Sequence, residues 1–387
     1  MIRAAIVGCG KIADSHAAAI QRINGCEVVA VCDKEPLMAQ QLSERFGIKK
    51  CFSEVEELLS EAHPDVVHIT TPPQSHYSIA RRCLESGAHI YLEKPFTLCE
   101  SDARELLALA DEKRCKVTAG HDDQFGHAAR RMRNLVHSGF LGDGPVHMES
   151  YYCYEMGRSG YAGAVLGDKR HWVRSLPGKL LQNIISHGIA RIAEFLTTDR
   201  PQVISYGFVS PLLKGMGETE IVDELRVIIS EEERTTAYFT FSSQMRPSLH
   251  QFRIYGTKNG LVLDHDQETL IRLRGSRFPS YAERFLPPLS FAGQYLGNLA
   301  RSARAFLGRD FHMKSGMKYL TESFYRSIVE GTQPPIPYRE IVLVARIMDE
   351  IFAQLDLQRA SGKPQAETIA NPSHTDIEVE QNLAAKR

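Results

Sequence analysis

No run of the 387-residue sequence is apolar for the roughly 20 residues that a bilayer-spanning helix needs. The N-terminus, MIRAAIVGCG, shows neither the apolar region nor the cleavage site of a signal peptide, so a cytoplasmic location is expected. Excess charge of either sign is also missing. Lys and Arg number 46 against 47 Asp and Glu, a formal net charge of −1, which removes any global electrostatic reason to expect nucleic acid as a partner. None of the eight cysteines forms a CxxC pair, and none lies beyond Cys153. A disulfide framework or a zinc site would show tighter spacing, so no metal is expected and the thiols read as reduced and mostly buried. Internal repeats and low-complexity tracts are absent as well.

What remains is a chain long enough for two ordinary domains, with 43% hydrophobic and 24% charged residues. Residues 1–122 alternate. Short β-branched runs (IRAAIVG, EVVAVCD, DVVHITT, AHIYLE, CKVTAG) are separated by segments with helical spacing, such as PLMAQQLSERF and ESDARELLALADEKR. Strands joined by helices of this length imply right-handed βαβ crossovers and a doubly wound parallel sheet, an α/β Rossmann domain. From 123 to 360 the texture changes. A helix around 124–138 precedes longer alternating runs (VISYGFV, ELRVIISE, TTAYFTFSS, HQFRIYG, GLVLDHD), which predict a mostly antiparallel sheet in an α+β domain. Helices are expected over 316–330 and 338–358. Residues 361–387 carry no apolar period and read as a mobile tail.

GCGKIA (Gly8, Cys9, Gly10, Lys11, Ile12, Ala13) follows the first strand and opens a helix. Gly8 permits the tight turn, Gly10 lets the backbone approach a pyrophosphate, and Ala13 allows close helix–strand packing at a helix N-terminus that faces phosphates. Asp33 ends the next strand, 20 residues beyond Ala13, where an acid accepts bonds from a ribose 2′-OH and repels a 2′-phosphate. The cofactor expected is therefore NAD, with Lys34 beside Asp33 keeping NADP open. DVVHITT ends in Thr71 and Pro72, at the carboxyl edge where open α/β sheets bind ligands. His76, in the first turn of the following helix, either contacts the nicotinamide half of the cofactor or merely opens the helix. Glu93-Lys94-Pro95 stands at the end of AHIYLE, facing the same cleft. Lys94 is there either a solvated loop residue or a partly desolvated acid/base beside the nicotinamide.

GCGKIA, Asp33, TPPQSH and YLEKP, in this order, together with VHSGFLG at 136–142 and the late FYRSIVEG, resemble the glucose–fructose oxidoreductase/inositol dehydrogenase (Gfo/Idh/MocA) family. The resemblance covers nearly the whole chain. It implies that Lys94 contacts both nicotinamide and substrate, with Glu93 in the cofactor site, and that the following proline is often cis. It also implies an open-faced antiparallel sheet in the second domain whose outer face forms a homo-oligomer interface.

The sequence departs from that pattern where the family carries Asp-x-x-x-His on a helix. LPGKLLQNIISHG keeps His187 but has Asn183 at the acid position. An amide can bind a sugar hydroxyl and cannot take a proton, so acid/base work falls on Lys94, His187 or both, and His187, lacking a carboxylate one turn away, is expected to titrate low. GHDDQFG places Asp122 and Gln124 where the family often has other polar residues, and Gln124 is expected to touch substrate. His171, Trp172 and Arg174 offer a ring and cations for a sugar and an anion, such as a nucleotide-sugar diphosphate, against the alternative of a solvated loop. Segment 286–312 reads as a basic amphipathic helix. Such helices can lie on anionic membrane and more often pack on their own domain or across a subunit contact. The expected function is an NAD(P)-dependent oxidoreductase acting on a secondary alcohol of a small sugar-like substrate. The alternatives are a glycosidase-like enzyme that retains NAD and a ligand-sensing regulator without catalysis.

Overall fold

The computed structural model describes residues 1–155, 160–275, 279, 281–310 and 315–361. The first region runs β1 (Ile2–Val7), α1 (Ala13–Gln21), β2 (Cys26–Cys32), α2 (Pro36–Phe46), β3 (Lys50–Phe52), α3 (Val55–Ala62) and β4 (Val66–Ile69). It continues through α4 (His76–Glu85), β5 (His89–Leu92), α5 (Glu100–Glu112) and β6 (Val117–Ala119). All six strands are parallel, in the order β3-β2-β1-β4-β5-β6. None of the five β-branched runs signals β3. It is a three-residue edge strand, too short and too exposed to carry an apolar pattern. The inner strands β1, β4 and β5 are buried almost throughout, as a sheet covered by helices on both faces requires.

The second region comprises α6 (His127–His137), β7 (Pro145–Cys153), α7 (Gly160–Gly167), α8 (Lys179–Ile184), α9 (Ser186–Ala193), β8 (Gln202–Phe208) and α10 (Pro211–Gly215). Then come β9 (Glu224–Glu231), β10 (Thr235–Ser242), β11 (Leu249–Gly256), β12 (Asn259–Asp264), β13 (Thr269–Arg274), α11 (Ala282–Leu307), α12 (Ser315–Glu330) and α13 (Tyr338–Ser361). Its seven strands are ordered β13-β12-β11-β7-β10-β9-β8, antiparallel except where β7 meets β10. One face alternates inward: Phe239, Phe241, Phe252 and Ile254 are buried under α9 and α13, while Ile204, Ile228 and Tyr238 on the other face are exposed. A Cβ on Gly188 would collide with the Phe239 ring, so the glycine is what lets α9 lie flat on this sheet.

The two cores do not divide at residue 122. Leu320, Phe324 and Tyr325 of α12, with Ile341 and Ala345 of α13, pack into the Rossmann core, whereas Leu343, Ile347 and Ile351 of α13 pack into the other. The last two helices thus tie the halves together. The expected tail lies, beyond residue 361, outside the described residues. No helix among the described residues is long and apolar enough to cross a membrane.

Candidate active site

The carboxyl ends of β1, β2, β4, β5 and β6 meet along one edge, where parallel sheets bind ligands. Gly8 has φ +97°, and a Cβ there would sit 2.7 Å from the Thr71 backbone nitrogen, so the turn after β1 admits only glycine. A Cβ on Gly10 would meet nothing within 4 Å, leaving an open cradle at the start of α1. Ala13 is fully buried against the sheet. Lys11 is exposed and Ile12 half-buried, flanking that cradle. Asp33 braces the loop: its Oδ2 accepts the Cys9 N–H at 2.7 Å and its Oδ1 the Glu35 N–H at 3.0 Å. These residues fit the pyrophosphate and ribose of a dinucleotide. Thr71 is half-buried and Pro72 exposed on the same edge.

His76 is corrected by its surroundings. The ring is buried, with Nε2 2.9 Å from the Thr71 carbonyl and Nδ1 2.9 Å from the Pro95 carbonyl, and burial lowers its pKa. It lies between the loop after β4 and the loop after β5, and a neutral ring spends its one N–H on either of these carbonyls, which leaves no donor for a nicotinamide. Glu93 is similarly engaged. Its Oε1 is 2.9 Å from His16 Nε2 and its Oε2 accepts the Lys94 N–H, so it positions the lysine from below rather than presenting a carboxylate to the cofactor. Burial alone would push the Glu93 carboxyl up. The His16 hydrogen bond and the neighbouring positive charges override it and hold the group down to about 2.

Sequence reasoning missed what lies behind Glu93. His16 Nδ1 is 2.7 Å from His68 Nδ1, and His68 Nε2 is 2.8 Å from the Tyr325 hydroxyl, with the Tyr91 ring stacked on His68. With Glu93 ionised, one polarity satisfies every group: Tyr325 donates to His68, His68 to His16, and His16 to Glu93. The only signal in the sequence was two histidines in elements otherwise apolar.

Lys94, joined to Pro95 by a cis peptide, extends across the cleft and donates from Nζ to the Asn183 backbone carbonyl at 3.0 Å. Asn183 lies near the end of α8 and His187 near the start of α9, with Ile185 between the two helices. His187 is buried, and that burial lowers its pKa to about 4. The carboxylates expected to be absent are present from another element. The turn after β6 brings Asp122 Oδ1 to 4.0 Å and Asp123 Oδ2 to 3.9 Å from His187 Nδ1, a nitrogen that otherwise has no hydrogen-bond partner. Asp123 also takes the buried Arg191 guanidinium at 2.6 Å. Burial pushes the Asp123 carboxyl up, but His187 and Arg191 outweigh it and keep it ionised, well below the usual carboxylate range. His121 packs edge-on to His187 with ring centroids 5.9 Å apart, and burial, with His187 beside it, lowers its pKa to about 3. The acid absent from position 183 is thus supplied by the loop at 122–123. Asp122, Asp123 and His187 also form a donor set, all within 4.8 Å of one another, of the kind that can hold a divalent cation, although no metal was expected. Arg191 already brings positive charge to the Asp123 oxygen.

Two substrate-binding expectations fail on contacts. Gln124 is buried and donates to Glu194 Oε2 at 2.8 Å, so its amide nitrogen is spent on bracing α9, while its Oε1 is buried without a partner. Arg174 is paired through Nη2 with Glu218 at 2.6 Å and bonds the Val165 carbonyl through Nε, so these two nitrogens serve as an internal clamp. His171 and Trp172 stack at 5.6 Å, and the Trp172 carbonyl accepts from Gln74 at 3.0 Å, placing that pair beside the TPPQSH turn at the rim of the cleft.

Residues 2–121 match the model of an oxidoreductase family with an NAD-binding Rossmann fold, Gfo/Idh/MocA. Residues 2–121 are thus similar to the NAD-binding Rossmann domain of that family. Among curated relatives, the D-glucoside 3-dehydrogenase of Escherichia coli is 32% identical over 37% of this chain. The match covers 41% of that relative, and two further relatives are matched over 48% and 37% of their own length, so the chain spans less than half of each. Solved structures share the fold over nearly the whole chain. The UDP-N-acetylglucosamine 3-dehydrogenase of Acidithiobacillus ferrooxidans superposes with a TM-score of 0.68 at 17% identity, covering 91% of this chain and 97% of that one. The WlbA dehydrogenase of Bordetella pertussis, solved with NADH and UDP-GlcNAcA, gives a TM-score of 0.72 at 15% identity over 92% and 95%.

Proposed function

We propose that the chain is a nicotinamide-dependent dehydrogenase acting on a ring secondary alcohol of a sugar, cyclitol or nucleotide sugar. One observation carries the reading: Lys94, from the cofactor wall, reaches the backbone of the helix pair that carries His187. When bound, the nicotinamide supplies the two-electron chemistry. His187, neutral at pH 7, takes the hydroxyl proton at a ring nitrogen. Asp122 and Asp123 stabilise the imidazolium that results, and Lys94 holds the substrate oxygen by hydrogen bonding. Asp33 favours NAD over NADP. Similarity to proteins named for oxidation at position 3 of a glucoside and of UDP-N-acetylglucosamine supports a pyranose with a free 3-hydroxyl as the first class to test.

The test is a screen of glycosides, cyclitols and nucleotide sugars for absorbance change at the nicotinamide band, followed by Lys94→Met on whichever substrate responds. The variant should keep cofactor affinity and lose roughly 10²–10³-fold in kcat, the range for removing a donor aimed at the reacting oxygen. A variant with near-native kcat refutes the assignment of Lys94.

A further inference from the structure

The helix α11 is amphipathic the wrong way round for a helix that belongs to a soluble core. Its polar residues face the protein. Asn298 is 1% exposed, donates to the Leu270 carbonyl at 3.1 Å and accepts from Arg131 at 3.2 Å. Gln294 pairs with the β13 backbone in both directions, accepting from the Arg272 N–H at 2.8 Å and donating to the Arg272 carbonyl at 3.2 Å. Two amides thus seal the free edge of the sheet. The opposite side of the helix is apolar and faces outward: Phe285, Leu289, Leu296, Leu299, Phe306 and Leu307 are between 66% and 82% exposed. Their spacing puts them on one stripe about 120° wide along the whole helix. A stripe of this length is far more than scattered surface leucines, and apolar patches of this kind mark contact surfaces.

Charge says what covers it. Arg284, Arg301 and Arg304 are exposed on the helix, and Glu283 is its sole acid. Arg284 and Arg304 fall on opposite flanks of the apolar stripe, while Arg301 lies on the protein-facing side near Arg131. We propose that α11 is a monotopic anchor that lays its apolar stripe into the interface of an anionic lipid bilayer, with the flanking arginines at headgroup level. A second copy of the chain fits less well. Two-fold pairing of the same stripe would bring no acid to either flanking arginine, since Glu283 is the helix's sole acid. The outer face of the second sheet, by contrast, offers Ile228 and Tyr238 beside the balanced Glu149–Arg253 pair. The anchor is independent of the reaction proposed above, because α11 contributes nothing to the cleft.

Flotation of the full-length chain with phosphatidylcholine vesicles, with and without phosphatidylglycerol, tests the anchor. Binding should require phosphatidylglycerol and fall with salt. Arg284→Glu/Arg304→Glu should weaken it by about tenfold or more, since each cation near the surface contributes about fivefold. Leu296→Glu/Leu299→Glu should abolish it while leaving cofactor affinity and thermal unfolding unchanged, which shows that the variant is folded. Absence of flotation on anionic vesicles overturns the proposal. So does a chain whose α11 stripe is buried in a dimer, recognised by sedimentation as a species that the Leu296→Glu/Leu299→Glu variant splits.

Discussion

On the Rossmann wall of the cleft, the groups offered to a ligand are chiefly backbone: the turn at Gly8, the open approach at Gly10 and the start of α1, with Asp33 spending both oxygens on holding that loop. On the opposite wall they are ionisable side chains buried against one another: His187, Asp122, Asp123, Arg191 and His121. The first wall binds by shape and fixed dipoles, which tolerate a change of side chain. The second works by charge balance in a poorly solvated place, where removing one member leaves its partners uncompensated. The contrast predicts that equal chemical changes on the two walls have unequal effects.

The largest effect belongs to the second wall. Asp123→Asn removes the charge that stabilises a protonated His187 and should lower kcat/KM on the order of 10²-fold, at the low end for an acid–base group. Restoring a carboxylate as Asp123→Asn/Asn183→Asp should recover part of that loss. Recovery would show that the requirement is a negative charge beside His187 and not the particular loop that carries it. A double variant no better than the single one breaks that interpretation.

A smaller effect is expected in the pH dependence. His187 has its pKa lowered to about 4, so the neutral base persists at pH values where an ordinary histidine is half protonated. The acidic limb of kcat/KM should therefore fall near pH 4. It should move lower still in Asp123→Asn, because that carboxylate raises the histidine, and higher in Asn183→Asp. The same shift governs stability. Between the unfolded value of about 6.5 and the folded value, the unfolded chain binds a proton that the folded chain refuses, so unfolding free energy should decline as pH drops through this window. His187→Gln should flatten that decline in urea titrations. His121 and His265, which burial also lowers, remain in the variant, so a slope unchanged by His187→Gln would assign the decline to them.

The smallest effect lies on the first wall. Asp33→Ser should change the ratio of NADP to NAD dissociation constants by about tenfold, one modest charge contact, without lowering kcat with saturating NAD. A large loss of kcat would mean that Asp33 matters through the Cys9 brace and not through the ribose, and would blur the distinction between the walls.

Much of the first wall was legible in the sequence because its chemistry is local. A glycine at positive φ, an alanine under a helix and an acid at a strand end occupy fixed offsets within one βαβ unit, so spacing alone locates them. Lys94 was legible for the same reason, as the residue that ends a strand. The errors cluster where a side chain had more than one direction to take. Gln124 and Arg174 are polar residues near the cleft in sequence, yet Glu194 and Glu218, 70 and 44 residues away, turn them inward. For His76 the sequence leaves open a nicotinamide contact or a plain helix start, and neither includes the Pro95 carbonyl that only the folded chain brings to its ring.

By itself the sequence determined the two fold classes, the parallel sheet's ligand-binding edge and the identity of the residues that stand there, because strand and helix periods and turn chemistry depend on neighbours a few positions apart. Tertiary structure alone decided which ionisable groups meet. It set Asp122 and Asp123, on a turn of the first region, against a histidine some 65 residues later, and so filled a place that the helix sequence had left to an amide. It joined His16, His68 and Tyr325 into one chain beneath Glu93. It also decided that α11 should bury its amides and expose its leucines, since a sheet edge needs hydrogen-bond partners more than it needs apolar cover. Long-range burial sets a pKa, an ion pair or an exposed stripe, and no local period encodes it.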